Sequence, residues 1–193
     1  MRERSAPPLT GRPRDPEVDT RVRDATLALL MERGYSGLRI DDVARASTVA
    51  KSTIYRRWPS LMLLVLDVVE AALGPRLVPT SDDVEADLAA LLRMSYASLV
   101  NNPVGWSLPS IGIDLLQQPE LGAEYRRRII DPIRDQAVSL LRRGIAEGRF
   151  APTAEPEAIF DAVAGSIIYR RMIGEPPAPL ETLLQFVRAA LRP

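Results

Sequence analysis

At 193 residues the chain can hold one or two domains with a sizeable core, and its 46% apolar and 26% charged residues are those of an ordinary globular protein. It contains neither cysteine nor histidine, which excludes disulfides and thiolate chemistry and removes the commonest metal ligand and the commonest general base. The formal net charge is zero but unevenly spread: residues 1–58 carry 12 basic against 8 acidic side chains and the remainder 13 against 17, a basic head on an acidic body.

Residues 1–15 are rich in Arg, Pro and Ser without periodicity and read as a flexible basic arm. Pro16 and Glu17 suit a first helical turn. Val18, Val22, Ala25 and Leu29 follow at helical spacing until Gly34 and the turn-forming Tyr35-Ser36-Gly37. Two short helices are expected next, from about Ile40 to Ala46 and from about Ala50 to Trp58, with a tight connection between them. Pro59-Ser60 breaks the chain, and Ser60 is placed to cap a helix over Leu61–Leu73. That helix is apolar nearly all round, so it should be buried between two layers. Asp67 and Glu70 interrupt it, and it is shorter than the roughly 20 residues a bilayer needs. The first thirty residues lack the uninterrupted apolar core of a secretory signal, so a soluble cytoplasmic protein is expected.

Gly74-Pro75 and Pro79-Thr80 punctuate the exit from this helix. The boundary is placed there, giving an arm at 1–15, a first unit at 16–74 and a second at 80–193. In the second unit Val84, Leu88, Leu91, Leu92 and Leu99 make one stripe, ending at Asn101-Asn102-Pro103. A shorter helix is expected from about Leu108 to Gln117, and a long one from about Glu120 to Glu147, closed by Gly148. Ile159, Phe160, Val163, Ile167 and Ile168 mark the next, and Leu180, Leu183, Leu184, Val187 and Leu191 the last. No stretch sustains period-2 alternation and no internal repeat is present. The fold class is all-α, with about nine helices.

Residues 40–58 carry the chemistry. Val43, Ala44, Val49 and Ile54 would pack the two short helices together, leaving Lys51, Ser52, Thr53, Tyr55, Arg56 and Arg57 on the second. Such a helix has what is needed to enter a major groove and clamp the flanking phosphates. It could equally be a solvated face of a helical bundle. Lys51 is the sole lysine; the arginine excess suits phosphate and guanine edges, and a composition bias explains it as well. No catalytic residue, metal site or cofactor is expected. A helical enzyme would need paired carboxylates, and Asp41-Asp42 and Asp82-Asp83 are better read as helix N-terminal acids.

Residues 11–64, through GRPRDPEVDTRVRDATLALLMERGYSGLRIDDVARAS and KSTIYRRWPS, resemble the DNA-binding domain of the TetR family of transcriptional regulators. The resemblance implies an N-terminal three-helix helix-turn-helix domain whose last helix reads double-stranded operator DNA through Lys51, Ser52, Thr53, Tyr55 and Arg56. It also implies phosphate contacts from Arg39 and minor-groove contacts from Arg12 and Arg14. Four positions depart from the family pattern: Thr48 stands where glycine is usual, Ala50 where serine is usual, and Leu61 and Met62 where lysine and an acid are usual. They suggest weaker or altered operator binding and keep open a second reading, a ligand- or partner-binding protein of this fold with impaired DNA readout.

The segment LLRRGIAEGRFAPTAEPEAIFDAVAGSIIYRRMIGEP resembles one class of C-terminal ligand-sensing and dimerising domains of the same family. The expected protein is a ligand-responsive regulator, a repressor, and a homodimer through its last two helices; those apolar stripes could also serve the subunit's own core. Met94, Trp106, Ile113, Leu116, Tyr125 and Tyr169 are candidates for the wall of an effector pocket, or simply for core packing. Few charges lie among them, so an apolar or aromatic small molecule is expected. The run Arg126-Arg127-Arg128 is read as a solvated helix face.

Overall fold

The computed structural model describes residues 16–78, 80–153 and 155–192, and within them every regular element is helical. The elements are α1 Pro16–Arg33, α2 Ile40–Ser47, α3 Lys51–Arg57, α4 Leu61–Leu73, α5 Val84–Tyr96, α6 Pro103–Leu116, α7 Pro119–Tyr125, α8 Asp131–Ala146, α9 Pro156–Met172 and α10 Leu180–Ala190. Two π-helical turns, Ala97–Asn101 and Arg126–Ile130, extend α5 and join α7 to α8 without a break. The ten described segments therefore make nine rods.

The ends follow the expected local chemistry with one difference. Ser60 Oγ accepts from the Leu63 backbone N–H at 3.2 Å and caps α4. Gly148, at φ 69°, turns the chain out of α8 in the left-handed region that glycine enters freely. Helix α6 begins at Pro103, five residues before the expected start. Asn102-Pro103 ends one helix and starts the next: Asn102 Oδ1 accepts from Val104 N at 2.9 Å, and Pro103 takes the first turn, where its missing N–H costs nothing. The Asn102 amide Nδ2 also donates to Ala72 O at 2.8 Å, tying α6 to the end of α4.

Helix α4 is buried almost all round, through Met62, Leu64, Val65, Leu66, Val68, Val69 and Leu73. It packs on α1, α6 and the Arg126–Ile130 turn. One apolar cluster joins α1–α4 to α6 and to Tyr125 and Ile129; a second joins α5, α8 and α10 around Leu91, Leu141, Phe150 and Val187. Each such buried side chain contributes about 1.5–3 kcal/mol relative to exposure. The connection after α4 is pinned as well. Arg76 donates to Ile129 O and Arg128 O at 2.6 and 2.7 Å, and the Gln136 amide pairs with both backbone groups of Val78.

Candidate nucleic-acid interface and effector cavity

Val43, Val49, Ile54 and Trp58 are buried between α2, α3 and the helices behind them, fixing how α3 is presented. At 100° per residue, Ile54 and Arg57 share the inner side of α3, while Lys51, Ser52, Tyr55 and Arg56 share the outer side. The exposure agrees: these last four are exposed, Tyr55 at 46%, and Thr53 is half-buried. Arg57 behaves differently from the expected phosphate clamp. Its side chain is only 12% exposed and is ion-paired with Asp19 of α1, so it anchors α3 to the helix beneath. Lys51 pairs with Asp41 across the motif. Arg39 lies in front of α2 with its guanidinium on the carbonyls of Ser36 and Leu38, at 2.8 and 3.0 Å. Arg12 and Arg14 fall outside the described residues.

Each departure from the family pattern has a local consequence. Thr48 ends α2 at φ 55°, ψ 32°, a left-handed conformation costly for a β-branched residue. Its hydroxyl donates to Ser47 O at 2.7 Å. Ala50 stands at the N-cap of α3 and supplies no side-chain acceptor. Met62 is a buried core residue and Leu61 packs against the same cluster.

Behind the motif, Asp67 of α4 gathers three elements. Its Oδ2 accepts from Arg23 of α1, at 3.1 and 2.9 Å, and from the Trp58 indole N–H at 3.1 Å. Arg128 of the π turn lies 3.6 Å from Asp67 Oδ1 and is paired with Glu70. Burial alone would raise the Asp67 carboxyl, but the Arg23 and Trp58 hydrogen bonds and the charges of Arg23 and Arg128 outweigh it and hold it below 3.8. Of the three arginines at 126–128, the sequence reading misses this one, which turns inward while Arg127 pairs with Glu124 at the surface.

A cavity of about 180 Å³ opens between α4, α5, α6, α9 and the π turn. Of the six expected wall residues the structure brings Tyr125 to it and no other. Tyr125 is buried, its hydroxyl donates to Leu108 O at 3.1 Å, and desolvation pushes it up to about 12 against the lowering effect of Arg76. Met94 packs against the second apolar cluster. Trp106, Ile113, Leu116 and Tyr169 are exposed on the outer faces of their helices. Pattern reading favoured bulky residues, whereas the wall is made largely of Leu and Ile with two arginines, Arg76 and Arg171, that nothing in the sequence distinguished from surface charges.

Residues 22–62 match the model of bacterial regulatory proteins of the tetR family, and residues 78–190, more than half of the chain, match that of tetracyclin repressor-like C-terminal domains. The chain belongs to the TetR family of transcriptional regulators. It is 30% identical over 165 residues to the uncharacterized HTH-type transcriptional regulator YdeS of Bacillus subtilis, covering 84% of this chain and 82% of that one. It is 26% identical over 157 residues to the DNA-binding transcriptional repressor TetR of Mycobacteroides abscessus, covering 78% and 80%. Among solved structures, the TetR family transcription regulator SCO0332 superposes with a TM-score of 0.62 at 29% identity, over 92% of this chain and all of that one. The protein is accordingly a helix-turn-helix transcriptional regulator and not an enzyme, and these relatives lend nothing to the reading in which DNA recognition is lost. Members of the family bind operator DNA, dimerise and respond to small molecules. Among the described residues no helix is long and apolar enough to cross a membrane.

Proposed function

We propose that this TetR-family regulator is a homodimeric repressor released from its operator by a small molecule held in the cavity behind α4. In this reading residues 16–74 bind DNA, residues 80–193 sense the effector and dimerise, and Arg12 and Arg14 of the arm follow the minor groove. The observation that carries it is the division of α3: Lys51, Ser52, Tyr55 and Arg56 outward, Ile54 and Arg57 inward. Contacts to base edges and phosphates need the first set free of the core. Thr53 at the flank and Arg39 before α2 would add contacts at the edges of the groove.

Dimerisation through α9 and α10 is supported by Ile168, Tyr169, Met172, Ile173 and Phe186, large apolar side chains left exposed on or beside these helices. The coupling route is supported by α4, which carries Leu73 in the cavity wall and Asp67 against Trp58. An effector that displaces the π turn would disturb Arg128, Glu70 and Asp67, and through Trp58 the attitude of α3. Such an effector acts only by its difference in affinity for the two arrangements.

The test is fluorescence anisotropy of the full chain on DNA from upstream of its own gene, at several salt concentrations and with scrambled competitor. Lys51 and Tyr55 replaced together by alanine should abolish specific binding while leaving the helical circular dichroism unchanged. Retained binding by that variant would remove α3 as the reading element.

A further inference from the structure

The cavity behind α4 is one lobe of a longer cleft. A second lobe, of about 90 Å³, lies between α5, α8, α9 and α10. The two share Ser95, Leu99, Ile133, Phe160, Ala164 and Ile167 as common wall. Along α5 the wall runs from Leu88 in the second lobe to Leu99 in the first, and along α9 from Ile159 to Arg171. At about 1.5 Å per residue each of these spans is roughly 15–18 Å long. The first lobe, about 180 Å³, is by itself larger than the ~150 Å³ apolar cavity that stays dry and takes up benzene.

Both lobes are lined with carbon almost throughout. The charged and phenolic groups beside the first lobe are engaged elsewhere. The Tyr125 hydroxyl donates to Leu108 O. Arg76 gives its guanidinium to the carbonyls of Ile129 and Arg128, with the charge of Glu70 nearby. Arg171 gives its own to Gly105 O and lies 4.1 Å from the centroid of the Trp106 ring. Both arginines therefore offer the cleft their methylene stems. The second lobe has no charged residue in its wall, and the Ser95 hydroxyl, where the lobes meet, is itself buried. A carboxylate or an ammonium entering this cleft would lose its hydration with no opposite charge facing it. An uncharged apolar skeleton has no such loss, and it restores the dispersion contacts that a void denies to its lining.

We propose that the effector is an uncharged lipophile with an extended apolar skeleton, lying along α5 and α9 through both lobes. The proposal rests on the ligand-responsive reading above and names the class of its ligand. The shape argues for extension: the lobes lie side by side, and a compact ring fills one of them and leaves the other void. Both π-helical turns border the first lobe, one through Ser98 and Leu99, the other through Ile129 and Ile130. An occupant of full length therefore bears on the turn that carries Arg128, while Leu91 and Val187 hold its far end in the second lobe.

Calorimetric titration of the full chain with 1-decanol, decanoate and decyltrimethylammonium, each below its solubility or micellar limit, tests the charge without any variant. The alcohol should bind at least ~10-fold more tightly than either ion. From hexanol to decanol the affinity should rise about 4-fold for each added methylene, the increment for transfer out of water. Ala164→Phe places a ring where the lobes meet. It should bring decanol down to the affinity of hexanol and leave hexanol unchanged. Ser95→Leu, from the facing helix, should do the same and replaces the first variant if that one lowers the melting temperature. An ion that binds as tightly as the alcohol, or an affinity that does not grow with chain length, overturns the proposal. So does decanol binding that survives both variants at full strength. A charged compound that binds the cleft and releases the operator overturns it while leaving the ligand-responsive reading in place. If no compound of any class binds the cleft or releases the operator, that broader reading fails too.

Discussion

Arg171 of α9 donates to the carbonyl of Gly105 in α6 at 2.9 Å, and Gly105 is the acceptor that Pro109, four residues further on, has no N–H to use. The guanidinium thus replaces a missing rung of the α6 ladder from another helix. The approach at this corner is close. A Cβ on Gly105 would collide with the Ser98 carbonyl and come within 2.6 Å of Leu99 O. The Trp106 indole N–H ties the same corner to Val100 O at 2.8 Å.

This relationship sets up a double-mutant cycle. Arg171→Ala orphans the Gly105 carbonyl and should cost about 1–3 kcal/mol in urea unfolding. In a Pro109→Ala background the restored N–H can serve that carbonyl, so the same substitution should cost at least ~1 kcal/mol less. Additive costs would mean that Arg171 stabilises α6 by stacking on Trp106 alone.

Asp67 gives a prediction with a pH signature. Asp67→Asn keeps the shape but removes the charge shared by Arg23, Trp58 and Arg128, and on this partly exposed carboxyl the loss should be about 1 kcal/mol after screening. The folded carboxyl titrates below its unfolded value of 3.8, so its contribution is present above that value and is lost as pH falls through the lower folded one. The difference in melting temperature between wild type and variant should be complete above about pH 5 and close progressively below it. A difference that persists unchanged at lower pH would assign the effect to packing and not to charge.

The two neighbouring arginines of α3 should separate by function. Arg56→Ala removes an exposed cation and should reduce the slope of log affinity against log salt by about one unit, with little change in stability. Arg57→Ala breaks the anchor to Asp19 and should instead cost about 1.5–3 kcal/mol of stability and leave the salt slope unaltered. A salt slope lowered by Arg57→Ala and not by Arg56→Ala would show that α3 turns about its axis on binding DNA.

Helix positions and the outward face of α3 were legible in the sequence because both depend on short-range periodicity and on local breakers such as Gly34, Pro59 and Gly148. The roles of Arg57, Arg128 and Arg171 were not. Each is surface-like by composition, and its meaning comes from a partner 38, 58 or 66 positions away: Asp19, Glu70 and Gly105. The cavity was misread for a related reason. A helical stripe shows which residues are apolar, but not which of two faces meets a neighbour. Trp106, Ile113, Leu116 and Tyr169 therefore read as wall candidates in the sequence although their helices turn them to the surface. The early start of α6 was hidden because Asn102-Pro103 serves both as stop and as start.

Thr48 and Ala50 offer the last test, and it bears on why this helix-turn-helix departs from its family. Thr48→Gly relieves a left-handed β-branched residue but gives up the hydroxyl bond to Ser47 O, and it enlarges the freedom of the unfolded chain. The conformational term is the larger, so the variant should be more stable by about 0.5–1 kcal/mol, with an unchanged urea m-value. Ala50→Ser supplies the acceptor that α3 lacks and should add about 1 kcal/mol. Combined, they hold α3 in place before DNA arrives, so operator affinity should rise by more than the stability of the free protein alone would require. If stability rises and affinity falls, the strain at Thr48 belongs to the DNA-bound geometry, and the departures are an adaptation to a different operator.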